Sequence, residues 1–458
     1  MKRWSLSMGR AILAGMTVFG SLLPIGCEKT SDPVLGQPPP RPKRLTVVTP
    51  HNQKIRRAFQ HNFSAWYVAH RGTSVDFRWI ERGTPECLAY VAETARAVSR
   101  DDPRPAPDLM FGGGIADHAQ LADRGHSAAI KLDDVLADIP TEIDGLPTRD
   151  ADGRWYATGL SSFGILCNQA ACAAWSIEPP TVWQDLAHPR FRSWIGMANP
   201  AYSGSTRECL LLILQQQGWE QGWATIIRIL ANTRALVDRS SVALHQVETG
   251  VSLATFAVNF DGMALAAESD GTLLYLNPPQ QTAANPNAVS VLKTCADQQL
   301  ARDFVWFCLS ADGQKLWGLE ADEHGGFGET LYHYPINPRI YEDFADQLAL
   351  QENPLKQGFG VRIDPKQRAE NAAALLPLVQ AACGENHVLL QQAWDAVVQA
   401  GLPAAALSEL TALPFDEQAL VEMGRAYEAA VPAAAAEMLA EWSAAFQAKY
   451  EHALALAR

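Results

Sequence analysis

The stretch LTVVTPHNQKIRRAFQHNFSAW, residues 45–66, decides the fold class. Its first part, Leu45–Thr49, is rich in β-branched residues and predicts a buried strand. Pro50, His51 and Asn52 then turn the chain. Apolar residues follow at spacings of four, four and three, which places them on one face of a helix. These residues are Ile55, Phe59, Phe63 and Trp66. A strand that leads directly into an amphipathic helix is the repeating unit of a parallel α/β sheet.

The same unit repeats along much of the chain. We predict further strands at residues 74–80, 108–111, 194–198, 234–238, 253–259 and 283–292, and helices at residues 84–98, 205–217, 219–231 and 299–317. Residues 155–165 form an extended crossing between the two blocks of α/β alternation. Two such blocks predict a two-lobed α/β fold, and ligand sites of such folds lie in the cleft between the lobes.

Both ends of the chain differ from this body. Residues 28–43 contain five prolines and predict an extended tether. Residues 365–458 are alanine-rich and predict only helices, which either clad one lobe or offer a docking surface to a partner. The predicted organisation is a signal peptide at 1–27, the tether at 28–43, the first part of lobe 1 at 44–158, lobe 2 at 159–284, a return to lobe 1 at 285–345, and a helical C-terminal extension at 346–458.

The first 27 residues carry a targeting signal. Lys2 and Arg3 are followed by a mostly apolar run at residues 11–25 and then by Gly26-Cys27. This order is typical of a secretion signal, and a small residue before a cysteine resembles the bacterial lipoprotein cleavage box. We therefore expect lipidation of Cys27, which would anchor the protein to the membrane in the periplasm or cell envelope. The alternative is an ordinary signal peptide that leaves a soluble periplasmic protein.

The composition argues against several classes of function. Hydrophobic residues make up 48% and charged residues 19% of the chain, which is typical of a globular protein. A net charge of −13 repels phosphate backbones and argues against a nucleic-acid partner. The GxSxG, HExxH and GxxxxGK[ST] motifs are absent from the sequence. Asp322-Glu323-His324 is interpreted as a solvated turn rather than a metal site. We predict no catalytic residue, no metal and no cofactor; an exported hydrolase is the alternative.

Three candidate ligand residues follow predicted strands. His51 and Asn52 come after the first strand, and Gly113 comes after the third. In α/β sheets the ligand crevice lies beyond the carboxyl ends of the strands, so we expect these residues to line one wall of the cleft. A glycine allows backbone amides to approach a ligand closely. A plain turn is the alternative interpretation of the glycine run.

Five hydroxyl side chains are further candidates. Ser203, Ser205 and Thr206 precede a predicted helix, whose free amides and positive dipole end suit an anion or a carboxylate. A serine at this place is also an ordinary N-cap. Ser161 and Ser162 lie on the crossing segment, where they either donate hydrogen bonds to a ligand or satisfy backbone groups of a hinge.

Four stretches together resemble one protein family. They are residues 45–52, residues 107–114, residues 179–186 with 198–206, and residues 301–317. In this order they resemble the type 2 extracellular solute-binding proteins of ABC importers, specifically the iron(III)-type branch. The resemblance implies a periplasmic-binding-protein type 2 fold, two lobes that close over a small solute, delivery of that solute to a membrane permease, and no catalysis. A ligand-sensing receptor for a membrane signalling partner is the alternative.

The chain departs from that family at one important position. Ferric-binding members place two adjacent tyrosines after an asparagine, whereas this chain has Phe260 and Asp261 after Asn259. Phenylalanine has no oxygen to ligate iron, which argues against capture of bare Fe(III). Asp261 is predicted to contact the solute; a place in a metal shell with His51 and a turn before Gly262 are its alternatives. The solute remains open among an organic anion such as a phosphonate or carboxylate, a sugar or polyol derivative, and a chelated metal.

Overall fold

The computed structural model describes residues 41–98, 105–132, 134–321 and 328–458, so the predicted signal peptide, Cys27, most of the tether and His324 lie outside the described residues. Residues 41–161 form the first part of one lobe. Its elements are β1 (Lys43–Thr49), α1 (Gln53–Arg71), β2 (Val75–Glu81), α2 (Thr84–Val98), β3 (Leu109–Gly114), α3 (Ile115–Asp123), the short strands β4 (Glu142–Ile143) and β5 (Leu146–Pro147), and β6 (Tyr156–Ser161).

The second lobe follows after a crossing at Ser162. Its elements are β7 (Phe163–Asn168), α4 (Gln169–Ala174), β8 (Ile195–Ala198), α5 (Gly204–Asn232), β9 (Thr233–Val237), α6 (Ser240–Glu248), β10 (Ala254–Val258), α7 (Asn259–Ala267), β11 (Leu273–Leu276) and β12 (Thr282–Ala283). Two 3-10 turns at Trp183–Ala187 and Pro189–Phe191 lead into β8. The crossing lies a few residues after residue 159, where lobe 2 was predicted to begin.

The chain then returns to lobe 1 and ends in a set of helices. The returning elements are β13 (Asn285–Val291), α8 (Gln298–Leu309), α9 (Ala311–Gly318), α10 (Pro338–Asp343), a 3-10 turn at Ala345–Gln347, α11 (Pro354–Gln357) and β14 (Gly360–Val361). The helical extension consists of α12 (Pro365–Cys383), α13 (His387–Gln399), α14 (Ala404–Thr411), α15 (Glu417–Ala429) and α16 (Pro432–Leu456). Within the described ranges, no helix combines the length and the apolar character that a membrane crossing requires.

Each lobe is built on one five-stranded sheet. The first has the strand order β2-β1-β3-β13-β6, with β1 parallel to β2 and β3, and with the returning β13 antiparallel to β3 and β6. The second has the order β11-β7-β10-β8-β9, with β8 parallel to β9 and β10, and with β7 antiparallel to β10 and β11. Because β6 and β13 belong to the first sheet while β7 belongs to the second, short crossings join the two lobes.

At two places in the predicted helices, the local sequence determines a break. The helices predicted at 205–217 and 219–231 form α5, which is interrupted at Gly218 by a positive φ of 72°. The single helix predicted at 299–317 is wrong, because it divides into α8 and α9 at Ser310. Ser310 has an extended backbone, and its hydroxyl accepts a hydrogen bond from the Gly313 amide, so it caps a new helix instead of continuing the old one.

The helical extension packs on lobe 2. Its buried apolar residues form one continuous core with those of α5 and of the second sheet. Two tryptophans fix the contact: Trp394 donates a hydrogen bond to the Asn232 side chain at 2.7 Å, and Trp219 donates one to the Asn371 side chain at 3.0 Å. The extension therefore covers a face of α5 that would otherwise be exposed.

We expect Trp394→Ala to lower the free energy of unfolding by about 3–5 kcal/mol, because the substitution empties a large buried site. Trp175→Ala is the matched control: its ring is 61% exposed, and we expect a loss below about 1 kcal/mol. Urea denaturation of the two variants checks the difference. Equal, small losses would contradict a core shared between the extension and lobe 2.

Candidate functional site

A cavity of about 220 Å³ lies between the two lobes. Seven of the nine solute-binding residues that the sequence predicts line it: His51, Asn52, Gly113, Ser161, Ser203, Ser205 and Asp261. Loops at the carboxyl ends of strands and the first turns of the following helices supply most of this lining. This is where the chain topology of an open α/β sheet places a ligand site.

Two predicted residues do not line the cavity. The Ser162 hydroxyl donates a hydrogen bond to the Asn277 side chain at 2.9 Å, and its amide donates to the Asn259 side chain at 2.9 Å. Thr206 is buried in the first turn of α5, where its amide donates to the Ser203 hydroxyl. The Ser162 hydroxyl is thus bound by a neighbouring side chain, and the Thr206 hydroxyl accepts a hydrogen bond from the Ser203 hydroxyl.

The N-termini of two helices meet in the lobe 2 wall of the cavity. Ser203 caps α5, and Ser240 is the first residue of α6. The Ser203 and Ser240 hydroxyl oxygens are 2.7 Å apart, and those of Ser205 and Ser240 are 3.2 Å apart. Each helix start presents unsatisfied amides and the positive end of its dipole. Their convergence with three hydroxyl groups favours the binding of an anion here.

Two helices of the lobe 1 wall begin differently. The Asp117 carboxylate accepts a hydrogen bond from the Gly114 amide at 3.1 Å and so occupies the start of α3. The Glu86 carboxylate accepts one from the Gly83 amide at 3.0 Å at the start of α2. Carboxylates of the chain itself therefore satisfy amides at the starts of α2 and α3, whereas serine hydroxyls lie at the starts of α5 and α6.

Three arginines in the cavity lining were not predicted: Arg82, Arg207 and Arg239. Arg82 directly follows β2 and Arg239 directly precedes α6, so the strand-end rule that selected His51 and Gly113 also applied to both. Arg82 and Arg239 are exposed and, within the described part of the chain, form no ion pair. Both guanidinium groups are therefore available to a solute that enters the cavity.

Polar contacts join the lobes across the cavity, and Lys54 of α1 also forms an ion pair with Glu268 at the end of α7. Asn52 caps α1 through its side-chain oxygen, and its amide group donates a hydrogen bond to Asp261 at 2.7 Å. Arg207 of α5 pairs with Asp117 of α3 at 3.0 Å. The structure therefore shows the lobes in contact, in a closed arrangement.

Burial in this arrangement makes ionisation of the Asp261 carboxyl group less favourable. Asp261 lies half-buried in the first turn of α7. Burial raises the pKa of its carboxyl group to about 6, although the hydrogen bond from Asn52 and the nearby Lys54 act in the opposite direction. A hydrogen-bond donor or a positive charge on a solute would therefore stabilise the ionised carboxylate of Asp261.

His51 lies in an aromatic environment at the base of the cavity. Its ring is 4.7 Å from Phe111 and 5.8 Å from Trp317, measured between centroids. Burial, together with the neighbouring histidines, lowers the pKa of His51 well below its ordinary value, so the ring is neutral. Its Nε2 atom has no hydrogen-bond partner among the described residues. Gly112 has a positive φ of 96°, and a Cβ atom there would lie 2.5 Å from that nitrogen, so the close approach of the histidine requires glycine.

A set of amide side chains, also not predicted, completes the floor of the cavity. Asn285 and Asn287 lie on β13, and both line the cavity. Asn287 donates to Nε2 of His333 at 3.1 Å, and Nδ1 of His333 donates to the Leu160 carbonyl at 2.8 Å. The Ser161 hydroxyl lies 3.3 Å from the Asn287 side-chain oxygen. This network fixes the orientation of polar groups that are suited to hydroxyl groups of a solute.

Phe260 and Asp261 stand where ferric-binding members of the resembled family have two tyrosines. The Phe260 ring stacks on His333 with centroids 4.6 Å apart and supplies no oxygen to the cavity. In the described residues, no three His, Cys, Asp or Glu side chains come together as a metal site.

Comparison with known proteins places this fold among the periplasmic binding proteins. Residues 106–322, just under half of the chain, match the family model described as bacterial extracellular solute-binding protein. The phosphoglycerate transport regulatory protein PgtC of Salmonella typhimurium is 28% identical over 61% of this chain, and an uncharacterized protein of Haemophilus influenzae is 24% identical over 50% of it. The chain spans 65% and 66% of the length of these two relatives.

Solved structures agree in fold. The periplasmic binding protein P5PA matches with a TM-score of 0.61 and 20% identity, over 74% of this chain and 98% of its own. AfuA of Actinobacillus pleuropneumoniae, with exogenous fructose-6-phosphate bound, matches with a TM-score of 0.59 and 17% identity, over 73% of this chain and 95% of its own. Iron-bound HitA of Pseudomonas aeruginosa has a TM-score of 0.54 and 17% identity, over 73% of this chain and 98% of its own. The predicted two-lobed fold with a helical C-terminal region is confirmed, and the comparisons support the predicted class of extracellular solute-binding protein.

We expect Asp261→Asn to stabilise the protein near neutral pH and to change the pH dependence of its stability. A carboxyl group with a raised pKa stabilises the folded state at low pH, and this contribution is lost as the pH rises from about 4 to about 6. The variant should therefore gain about 1–3 kcal/mol over the native protein between pH 4 and pH 7. Thermal melts across this range, with the exposed Asp343→Asn as control, measure the gain. A pH-independent difference would contradict a raised pKa at Asp261.

Proposed function

We propose that this protein is the extracytoplasmic solute-binding component of an ABC transporter, which captures a small anionic solute between its lobes and delivers it to a membrane permease. The observation that carries the proposal is the convergence of the α5 and α6 N-termini, with Ser203, Ser205 and Ser240, on an interlobe cavity. No residue is assigned a catalytic role. The two lobes that open and close around the cavity are the machinery that capture and release require.

The solute that fits best is a small phosphorylated organic molecule. A cavity of about 220 Å³ is smaller than the roughly 300–1,000 Å³ of sites for drug-sized ligands. A phosphate group accepts hydrogen bonds from helix amides and hydroxyls and pairs with the guanidinium groups of Arg82 and Arg239. Asn285, Asn287 and Asp261 are placed to bind hydroxyl groups on the remainder of the molecule. The names of PgtC and of the AfuA complex, phosphoglycerate and fructose-6-phosphate, support this class.

Bare Fe(III) is not the solute in this proposal. Phe260 stands where a phenolate ligand would be, and its ring lines the cavity and stacks on His333 without supplying an oxygen. The likeness to HitA, at 17% identity, concerns the fold. The resemblance to the iron(III)-type branch therefore concerns the fold. The proposed solute differs from the Fe(III) that ferric-binding members of this branch bind.

The proposal includes export and a lipid anchor. Residues 1–27 have the order of a lipoprotein signal, and the five prolines of residues 28–43 favour an extended tether between the membrane and the solute-binding body. The protein then acts in the periplasm or cell envelope. We expect Cys27→Ser to abolish labelling by radioactive palmitate and to move the protein from the membrane fraction to the soluble fraction. Labelling that persists in the variant would contradict the anchor.

A second candidate function is a ligand-sensing receptor that reports its bound state to a membrane signalling partner. The specific observation in its favour is the word "regulatory" in the name of the relative PgtC. The two functions share the solute site and differ in the partner. A strain without the protein would lose solute uptake in the first case; in the second it would keep the uptake system and lose its induction by the solute.

We expect phosphoglycerate or fructose-6-phosphate to raise the melting temperature of the purified protein. A solute at about 100 times its Kd adds about 2.7 kcal/mol of stability. Ser205→Ala should weaken binding about tenfold, because it removes a hydroxyl donor to a charged group. Ser408→Ala, on the exposed surface of α14, is the matched control and should bind as the native protein does. A shift with Fe(III) alone would overturn the proposed solute class.

A further inference from the structure

An arginine of the helical extension reaches the first turn of α5, which forms part of the cavity wall. Arg207 and Glu208 both line the cavity, whereas Arg368 of α12 does not. The Arg368 guanidinium binds the Glu208 carboxylate through two hydrogen bonds, of which that from Nε to Oε2 is 2.9 Å long. The side chains of Arg368 and Glu208 are only 18% and 12% exposed. A residue that lies 160 positions after Glu208 in sequence thus balances a nearly buried charge beside the solute site.

Glu208 has a second cationic neighbour, Arg207, which also pairs with Asp117 of lobe 1. The Arg207 Nε atom lies 3.6 Å from Glu208, while Nη2 of the same guanidinium lies 3.0 Å from Asp117 of lobe 1. Without Arg368, the Glu208 carboxylate would have Arg207 as its counter-charge. That competition would withdraw Arg207 from the contact between the lobes, and it would leave a carboxylate facing an anionic solute.

The charge state of Arg368 fits this role. Burial acts to lower the pKa of its guanidinium, but the Glu208 carboxylate and the more distant Asp117 raise it above the ordinary value. Arg368 therefore stays protonated and neutralises Glu208 throughout the physiological range.

We propose that Arg368 is a positioning residue of the solute site: by binding both oxygens of Glu208, it neutralises that carboxylate and leaves Arg207 free for Asp117 and for an anionic solute. The inference rests on the proposed function, because it concerns the affinity for an anion. It makes the helical extension a component of the solute site as well as a cover for α5.

A double-mutant cycle tests the inference. Titration calorimetry with phosphoglycerate and with inorganic phosphate would compare the native protein with Arg368→Met, Glu208→Gln, the double variant and Arg368→Lys. We expect Arg368→Met to weaken binding by about tenfold or more, because the Glu208 carboxylate beside the anion then competes for Arg207. The double variant, which has no such carboxylate, should recover to within about threefold of Glu208→Gln alone. Arg368→Lys should recover part of the affinity.

Arg425→Met is the matched control, since Arg425 forms an exposed ion pair with Glu370 elsewhere on the extension. It should bind as the native protein does. Native-like affinity in Arg368→Met, or a double variant as weak as Arg368→Met, would overturn the inference, because the affinity would then not depend on neutralisation of the Glu208 carboxylate. If Arg368→Met fails to fold, the double variant and Arg368→Lys decide by the same criteria. A native protein that binds neither probe refutes the proposed solute class itself, before any variant is compared.

Discussion

The first amides of every helix lack partners inside the helix, and the way this chain satisfies them determines the character of its cleft. In lobe 1, Glu86 and Asp117 bring carboxylates to the amides that precede α2 and α3. In lobe 2, Ser203 and Ser240 provide only neutral hydroxyls at the starts of α5 and α6. The starts of α2 and α3 have therefore already been satisfied by internal anions, whereas those of α5 and α6 retain the capacity to bind an external one. This local capacity exists although the chain as a whole carries a charge of −13.

The helical extension acts on the same wall from behind. α5 is buried on one side by the second sheet and on the other by the extension, through contacts such as that of Trp394 with Asn232. A helix held on both sides presents its first turn in a fixed place, which is what a preorganised site needs. The extension also supplies the positive charge that the acidic residue in this turn requires, from Arg368 to Glu208. Packing and charge compensation thus act on the same helix terminus.

Much of the fold followed from local patterns, and the failures have identifiable physical causes. The β-branched run at 45–49 and the apolar spacing after it predicted β1 and α1, because both periods are local properties of the sequence. Ser161 and Ser162 were predicted as a pair, but adjacent residues of an extended segment point to opposite sides, and only Ser161 lines the cavity. Thr206 was grouped with its neighbours in the same way, although the helix turns it inward. Arg82 and Arg239 were not predicted, although they lie after a strand and before a helix, in the kind of loop that was used to select His51 and Gly113.

Other features were beyond sequence reasoning because they join distant segments. The contact between Arg368 and Glu208, and that between Arg207 and Asp117, depend on how whole elements pack. A single sequence carries no local signal for such pairs.

The contacts that close the lobes are weak enough to permit release. Asn52 with Asp261, Arg207 with Asp117 and Lys54 with Glu268 are polar or ionic pairs, and separation of the lobes returns their charged groups to water. Burial raises the pKa of Asp261 to about 6, so ionisation of this carboxyl group costs free energy in the folded protein near neutral pH. The closed and open forms are therefore expected to differ by only a few kcal/mol, and a solute shifts this balance by its differential affinity for the two. An anion bound to the α5 and α6 N-termini would also attract Arg207, the residue that bridges to lobe 1. Solute binding and lobe closure would then depend on the same guanidinium group, which explains why the charge next to it must be neutralised from outside the cavity.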